Sequence, residues 1–289
     1  MIVVTGASGH LGRLAVEALA RRLPAREIVA AARSVERLKD LAARGVQVRH
    51  ADYTRPETLA AAFAGAEKVL LVSSNEVGAR AHHHAAVIEA AKAARVKLLA
   101  YTSILRADHS HMIFGAEHRE TEAAILASGL PHVFLRNGWY LENYTESLGP
   151  ALQHGAVVGC AGTGRIAAAA RADYAEAAAV VLTGSPERTI YELAGDRAFT
   201  MQALAAEVGR QAGKPIAYRE LPPEQYRSIL VGAGLPVALA EALVDADLWA
   251  AKGELDDSSG ELRRLIGRPT TTLAEAVGAA MAGMAAMKK

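Results

Sequence analysis

Three glycines at positions 6, 9 and 12 in the opening run "MIVVTGASGHLGRLAVEALARR" constrain this chain more than any other feature. Ile2, Val3 and Val4 precede them as a short, β-branched, apolar run suited to a buried parallel strand. Leu14, Ala15, Ala18 and Leu19 follow at helical spacing. The pattern predicts a strand, a tight turn and a helix. A helix N-terminus offers backbone N–H groups and the positive end of its dipole, so a pyrophosphate can rest there without a charged side chain. Gly6 would admit the turn, Gly9 would let backbone approach phosphate, and Gly12 would let the helix pack close to the strand. The spacing is G-x-x-G-x-x-G rather than the commoner G-x-G-x-x-G, but the strand and helix stand where a dinucleotide cradle needs them. A glycine-rich turn without a ligand is the alternative.

The alternation continues downstream. Apolar runs recur at 27–32, 46–51, 68–74, 96–103 and 132–137, with helix-like stretches between them such as 56–65 and 85–94. Such repetition predicts an α/β fold, a doubly wound parallel (Rossmann) sheet, with ligands beyond the carboxyl ends of its strands. After about 153 the pattern loosens. The stretch 154–182 reads as a short strand pair and a helix, followed by "TIYELAG", a helix from about 200 to 212, and "PIAYREL". From Pro222 the chain is alanine-rich and helical in pattern. The expected division is a dinucleotide-binding domain at 1–153 and a smaller, mostly helical substrate-capping lobe at 154–289, the latter able to return a strand to the main sheet.

Composition narrows the function classes. A net charge of +1 gives no basis for a nucleic-acid or anionic-membrane surface. The single cysteine, Cys160, permits no internal disulfide and suits a reducing compartment. No apolar run approaches the ~20 residues that span a bilayer, and the first strand starts at once without a signal peptide. A cytoplasmic protein is expected.

The strand ends carry the chemistry. The second strand closes on Arg33, where an acidic residue would bind the adenosine ribose and select NAD. An arginine offers a planar fork to a 2′-phosphate instead, so the expected cofactor is NADPH. Asp52 follows the third strand, either to receive the adenine amino group or to cap the turn toward Pro56. Ser73, Ser74 and Asn75 end the fourth strand as small polar groups on the cofactor path, or as helix caps. The fifth ends "AYTS", where short-chain reductases place a catalytic serine. Their mechanism also uses a tyrosine with a lysine at the fourth position after it, and none of the eight tyrosines here has one. Simple ketone reduction generates an alkoxide that needs such a proton donor, whereas hydride addition to a quinone gives an aromatic phenolate. The missing dyad disfavours simple ketones.

Taken together, "TGASGHLG", "AAR" ending at Arg33, "RHADY", "LLVSS", "LLAYTS", "LRNGWYLENY" and "ARADYAEAAA" resemble the NmrA-like, atypical short-chain dehydrogenase/reductase family, in particular its NADPH-dependent quinone and triarylmethane-dye reductases. The resemblance runs over nearly the whole chain, through "YELAGD" and "LIGRPTTTLAEAV". It implies that Gly6, Ala7, Ser8, Gly9, His10 and Leu11 line the cofactor with Arg33, Ser73, Ser74 and Asn75. By the same resemblance Asn137, Gly138, Trp139, Tyr140, Leu141, Glu142 and Arg171 complete that lining. The stretch 104–115 matches the family least.

The block after the sixth strand supplies parts for an acceptor. Trp139 and Tyr140 are aromatic surfaces suited to a flat molecule, and Asn143 is placed to donate to a quinone oxygen. Core packing at a helix start is the alternative for Trp139, Tyr140 and Tyr144. The expected activity is direct hydride transfer from NADPH to a quinone or similar conjugated acceptor. A non-catalytic NADP-binding regulator and a reductase of triarylmethane-like dyes are the rivals, and a homodimer is left open. No metal is expected: consecutive histidines in "AHHHAA" point about 100° apart on a helix, and His118 with Glu122 lacks a third ligand. These histidines read as a solvated helix face.

Overall fold

The computed structural model describes residues 1–286. The last three positions of the expected C-terminal lobe, 287–289, lie outside the described residues. Seven strands form one sheet: β1 (Ile2–Val4), β2 (Ile28–Ala32), β3 (Gln47–His50), β4 (Lys68–Leu71), β5 (Leu98–Ile104), β6 (His132–Asn137) and, after an excursion, β8 (Ile190–Leu193). Between the last two lies β7 (Ala156–Gly159), which joins a separate sheet. The order is β3-β2-β1-β4-β5-β6-β8 and every pairing is parallel, as in a Rossmann fold. All carboxyl ends therefore share one edge.

Two compact units divide the chain. The first comprises Met1–His109, Gly115–Asn137 and Arg171–Leu193; the second comprises Ser110–Phe114, Gly138–Ala170 and the chain from Ala194 onward. Position 153 lies inside the second unit, within the helix Leu148–His154. The chain leaves the sheet after Asn137, the last paired residue of β6, and returns through the helix Arg171–Thr183 into β8. A strand does come back to the main sheet, pairing with β6 from Phe134↔Ile190 to Asn137↔Leu193.

In the first unit the central strands are buried on both faces, which explains their continuous apolar runs. Val3, Val29, Val69, Leu71, Leu99 and Tyr101 pack in one cluster with Phe63 and with Leu59, Val87, Ile88 and Ile125 from three successive helices. The helix His10–Ala20 packs on Arg171–Thr183. Both helices bury many small residues, Ala15 and Ala18 on one and Ala175, Ala178 and Ala179 on the other.

The second unit is built around a two-stranded parallel sheet, β7 with β9 (Ala217–Glu220). The strand pair expected within 154–170 does not form. Ala156–Gly159 finds its partner far along the chain, and the run after it makes only isolated bridges, Ile166↔Phe199 and Tyr140↔Ala169. Gly162, with φ of 55°, lies in the turn that follows β7. Four helices follow Pro222 among the described residues: Pro223–Gly232, Val237–Ala250, Glu261–Ile266 and Leu273–Ala286. No helix among the described residues is long and apolar enough to cross a membrane.

The histidine reading needs correction. His83, His84 and His118 are buried, His84 completely, rather than solvated. His84 Nδ1 lies 2.9 Å from Thr121 Oγ1, and His118 Nδ1 lies 2.7 Å from the Tyr101 hydroxyl. His84 thus meets a neutral hydroxyl on the neighbouring helix and His118 one on β5, whereas His83 Nδ1 faces the Glu76 carboxylate at 3.7 Å. Among the described residues no group of His, Cys, Asp and Glu is arranged to hold a metal ion.

One buried ionic knot ties β5, β6 and β8. Arg136 donates to Glu122 at 3.0 and 2.7 Å, to Asp108 at 2.9 Å and to Glu192 at 2.8 Å. Ser103 on β5 donates to the same Glu122 at 2.6 Å. Arg136 and Glu122 are only 5% and 8% exposed, so removing the cation strands a desolvated carboxylate. Arg136→Ala should therefore destabilise the protein by about 3–5 kcal/mol in urea-unfolding titrations; a loss under about 1 kcal/mol would show the knot to be solvent-relaxed.

Candidate active site

The turn after β1 forms as the glycines demand. Gly6 has φ of 59°, a conformation L side chains rarely adopt. A Cβ on Gly12 would stand 2.3 Å from the Gly6 carbonyl oxygen, so only glycine lets the helix His10–Ala20 sit this close. Gly9 N–H donates to that carbonyl at 2.9 Å, and Gly9 caps the helix without a side-chain bond. No acidic residue stands in the first helical turn to oppose an anion. Ala7 and Leu11 are buried and serve packing, and Ala7 N–H is bonded to Ala31 at 3.0 Å; Ser8 is half-buried, and Gly9 and His10 are exposed.

Beneath the turn lies a hydroxyl relay that sequence inspection missed. Thr5 Oγ1 donates to Leu70 and accepts from Val72 N–H at 3.1 Å, while the Tyr53 hydroxyl reaches Thr5 Oγ1 at 2.6 Å. Burial pushes the Tyr53 phenol well above its ordinary range. Tyr53 was legible only as a tyrosine without a lysine partner; its neighbours are distant in sequence.

Arg33 closes β2 with an exposed guanidinium, 3.3 Å from Glu76. Arg13, on the helix His10–Ala20, is committed to Asp40 and Glu17. Asp52 accepts from the Thr54 N–H at 2.9 Å and hydroxyl at 2.8 Å, so it organises its own turn. Burial raises the Asp52 carboxyl, but the Thr54 bonds together with Arg33 and His50 outweigh it and hold the group below the usual range.

The segment after β4 is clamped through its backbone. Ser73 N–H donates to Thr102 Oγ1 at 2.9 Å, Ser74 N–H to His84 Nε2 at 2.9 Å, and Arg80 Nε to the Ser74 carbonyl at 2.7 Å. Asn75 is exposed beyond these clamps. Because Nε2 accepts, His84 carries its proton on Nδ1 toward Thr121. Asn137, at the end of β6, is 3% exposed, and its Oδ1 has no hydrogen-bond partner. A buried orphan acceptor at this edge suits a donor supplied by a ligand. Arg171 opens the helix Arg171–Thr183 in the same unit.

Gly138, Trp139, Tyr140, Leu141, Glu142 and Asn143 belong to the second unit. Ala169 N–H donates to Trp139 at 3.1 Å and Leu141 N–H donates to Ala169 at 3.0 Å, fixing this segment by strand-like pairing. Leu141 is buried, whereas Trp139, Tyr140, Glu142 and Asn143 are half-exposed. Trp139 lies against Phe114, ring centroids 6.1 Å apart, and Tyr144 meets Phe199 edge-on at 5.6 Å. Burial first, then the Asp247 charge, keeps the Tyr144 phenol protonated. Asp247 itself is pushed up to about 6 by burial, although it accepts the Cys160 N–H at 2.9 Å. Of the poorly matched stretch 104–115, Ser110–Phe114 belongs to this unit, held by Glu254, which receives His111 Nδ1 at 2.6 Å, and by Asp245, which accepts Ile113 N–H at 2.7 Å. His111 stacks on Trp249 at 4.7 Å.

The NmrA-like family model matches residues 1–275. The chain belongs to the NmrA-like family. Among its relatives in this family, Quinone oxidoreductase 2 of Escherichia coli (strain K12) is 50% identical over 278 residues, 96% of this chain and 97% of that one. The crystal structure of the NADPH-dependent quinone oxidoreductase from Escherichia coli complexed with NADPH superposes with a TM-score of 0.93 at 49% identity, covering 97% of this chain and 100% of that one. Triphenylmethane reductase of Citrobacter sp., complexed with NADP(H), gives a TM-score of 0.92 at 37% identity, with the same coverage.

His84 makes this NmrA-like chain acid-sensitive in a defined window. Burial, then the charges of Arg80 and His83, push its pKa down to about 3 from an ordinary 6.5. Between those values the unfolded chain takes up a proton that the folded chain refuses. The stabilisation is complete above 6.5 and is lost as pH falls toward 3. In denaturant titrations from neutral to acid pH, His84→Gln should lose stability less steeply than the unsubstituted protein; parallel slopes would remove His84 from the acid response.

Proposed function

We propose that this chain is an NADPH-dependent quinone oxidoreductase. The observation that carries the reading is half-identity, across nearly the whole length, to Quinone oxidoreductase 2 of Escherichia coli. The residues fit the cofactor: Gly6 adopts the left-handed φ of the turn, Gly12 leaves backbone where a Cβ would intrude, Arg33 exposes a cation where ribose selection occurs, and Asn137 keeps a buried acceptor unpartnered. NADPH supplies a hydride when bound. Gly6, Ala7, Ser8, Gly9, His10, Leu11 and Gly12 present the turn and helix N-terminus to the pyrophosphate, Arg33 pairs with the 2′-phosphate, and Asp52 flanks the adenine end. Ser73, Ser74, Asn75, Asn137 and Arg171 hold the remainder, with 138–142 beside it. On the acceptor side, Trp139 and Tyr140 stack a flat ring, and Asn143 donates to the oxygen on which negative charge develops.

Arg33→Ala should weaken NADPH about ten- to a hundredfold, equivalent to losing about 1.5–3 kcal/mol of a charge-assisted contact, and leave NADH nearly unchanged. Fluorescence titration with both nucleotides measures this, and equal losses would withdraw the 2′-phosphate role.

The purified protein should oxidise NADPH with small quinones without bound flavin and be inert toward aliphatic ketones, followed by loss of reduced-nicotinamide absorbance. Asn143→Ala should lower turnover about tenfold, below the typical loss for a dry oxyanion site because water can substitute, with NADPH affinity retained. Tight NADPH binding with no turnover on quinones or a triarylmethane dye would favour a regulator. Loss of NADPH binding in Asn143→Ala would move that residue to the cofactor.

A further inference from the structure

Glu76 stands 3.3 Å from the Arg33 guanidinium through one carboxylate oxygen, and 3.7 Å from His83 Nδ1 through the other. The arrangement is not that of a wandering surface side chain. Glu76 follows the clamped Ser73–Ser74 backbone, and its own N–H donates to Ser74 Oγ at 3.2 Å. Arg33 and Glu76 side chains are 60% and 43% exposed, so their pairing adds little to folding stability. A fixed carboxylate at this place has its main effect on whatever anion comes to Arg33. A 2′-phosphate must share the guanidinium with Glu76 and lie beside a like charge. A ribose with a free 2′-hydroxyl meets no such opposition, since a carboxylate accepts hydrogen bonds from hydroxyls.

We propose that Glu76 is a specificity-determining residue of the cofactor site, lowering the preference for NADPH over NADH that Arg33 alone would impose. This rests on the reading of Arg33 as the partner of the 2′-phosphate. Arg33 supplies attraction and Glu76 a graded penalty, so the ratio of the two affinities reflects both.

Calorimetric titration of NADPH and NADH into the full-length protein and its Glu76→Gln, Glu76→Asp and Arg33→Ala variants tests the proposal. Glu76→Gln keeps the size and the acceptor oxygen but removes the charge. It should tighten NADPH about three- to tenfold, an effect that shrinks at high salt, and should leave NADH unchanged or slightly weaker. Glu76→Asp should restore a ratio near that of the unsubstituted chain. An unchanged ratio in Glu76→Gln, or weaker NADPH binding, overturns the proposal; the latter would make Glu76 an aid to Arg33. A selective NADPH loss in Arg33→Ala alongside either result leaves the reading of Arg33 standing. Equal loss of both nucleotides in Arg33→Ala means that the reading itself has failed.

Discussion

Parallel pairing governs this molecule. Each connection between parallel neighbours must cross back over the sheet, so every strand points the same way and delivers its last residue to one edge. Gly6, Arg33, Asp52, Ser73 and Asn137 owe their common location to that rule, not to any affinity among themselves. The same rule lets the chain spend Gly138–Ala170 in the second unit and still return. The helix Arg171–Thr183 supplies the crossover and β8 pairs in register with β6.

Polar burial in the first unit is managed by two different solutions. The charged one is the Arg136 knot, where one guanidinium answers three carboxylates. The neutral one is the set of imidazole and hydroxyl pairs, His84 with Thr121 and His118 with Tyr101. Desolvation first, then the nearby Arg80 charge, keeps both histidines uncharged, and both have pKa values pushed far down. The neutral set reaches the functional edge directly, since His84 Nε2 holds the Ser74 amide.

What sequence inspection could read was local. A strand followed by a glycine turn and a helix announces itself within a few residues, and β6 matches its apolar run residue for residue. The place of Arg33 just past a strand end was legible because it follows directly from the apolar run before it. His83 and His84 were misread because three histidines look polar, and the hydroxyl that receives His84 lies on a different helix, far along the chain. Glu76 escaped for the same reason: nothing within its own stretch shows that β4 carries it beside the end of β2. The strand at Ala156–Gly159 was visible, but its partner was not, because parallel pairing leaves no turn signal between them.

Ser103 carries a consequence for redesign. It occupies the strand-end position where short-chain reductases keep a reactive hydroxyl, yet here that hydroxyl is only 5% exposed and bound to Glu122 inside the ionic knot. Grafting a tyrosine and lysine onto this scaffold would therefore not recreate a carbonyl reductase. The third member of such a triad is already employed as structural mortar between β5 and β6, and freeing it would loosen the Arg136 knot at the same time. The route from this framework back to alcohol-forming chemistry runs through its stability, so the two properties would have to be changed together.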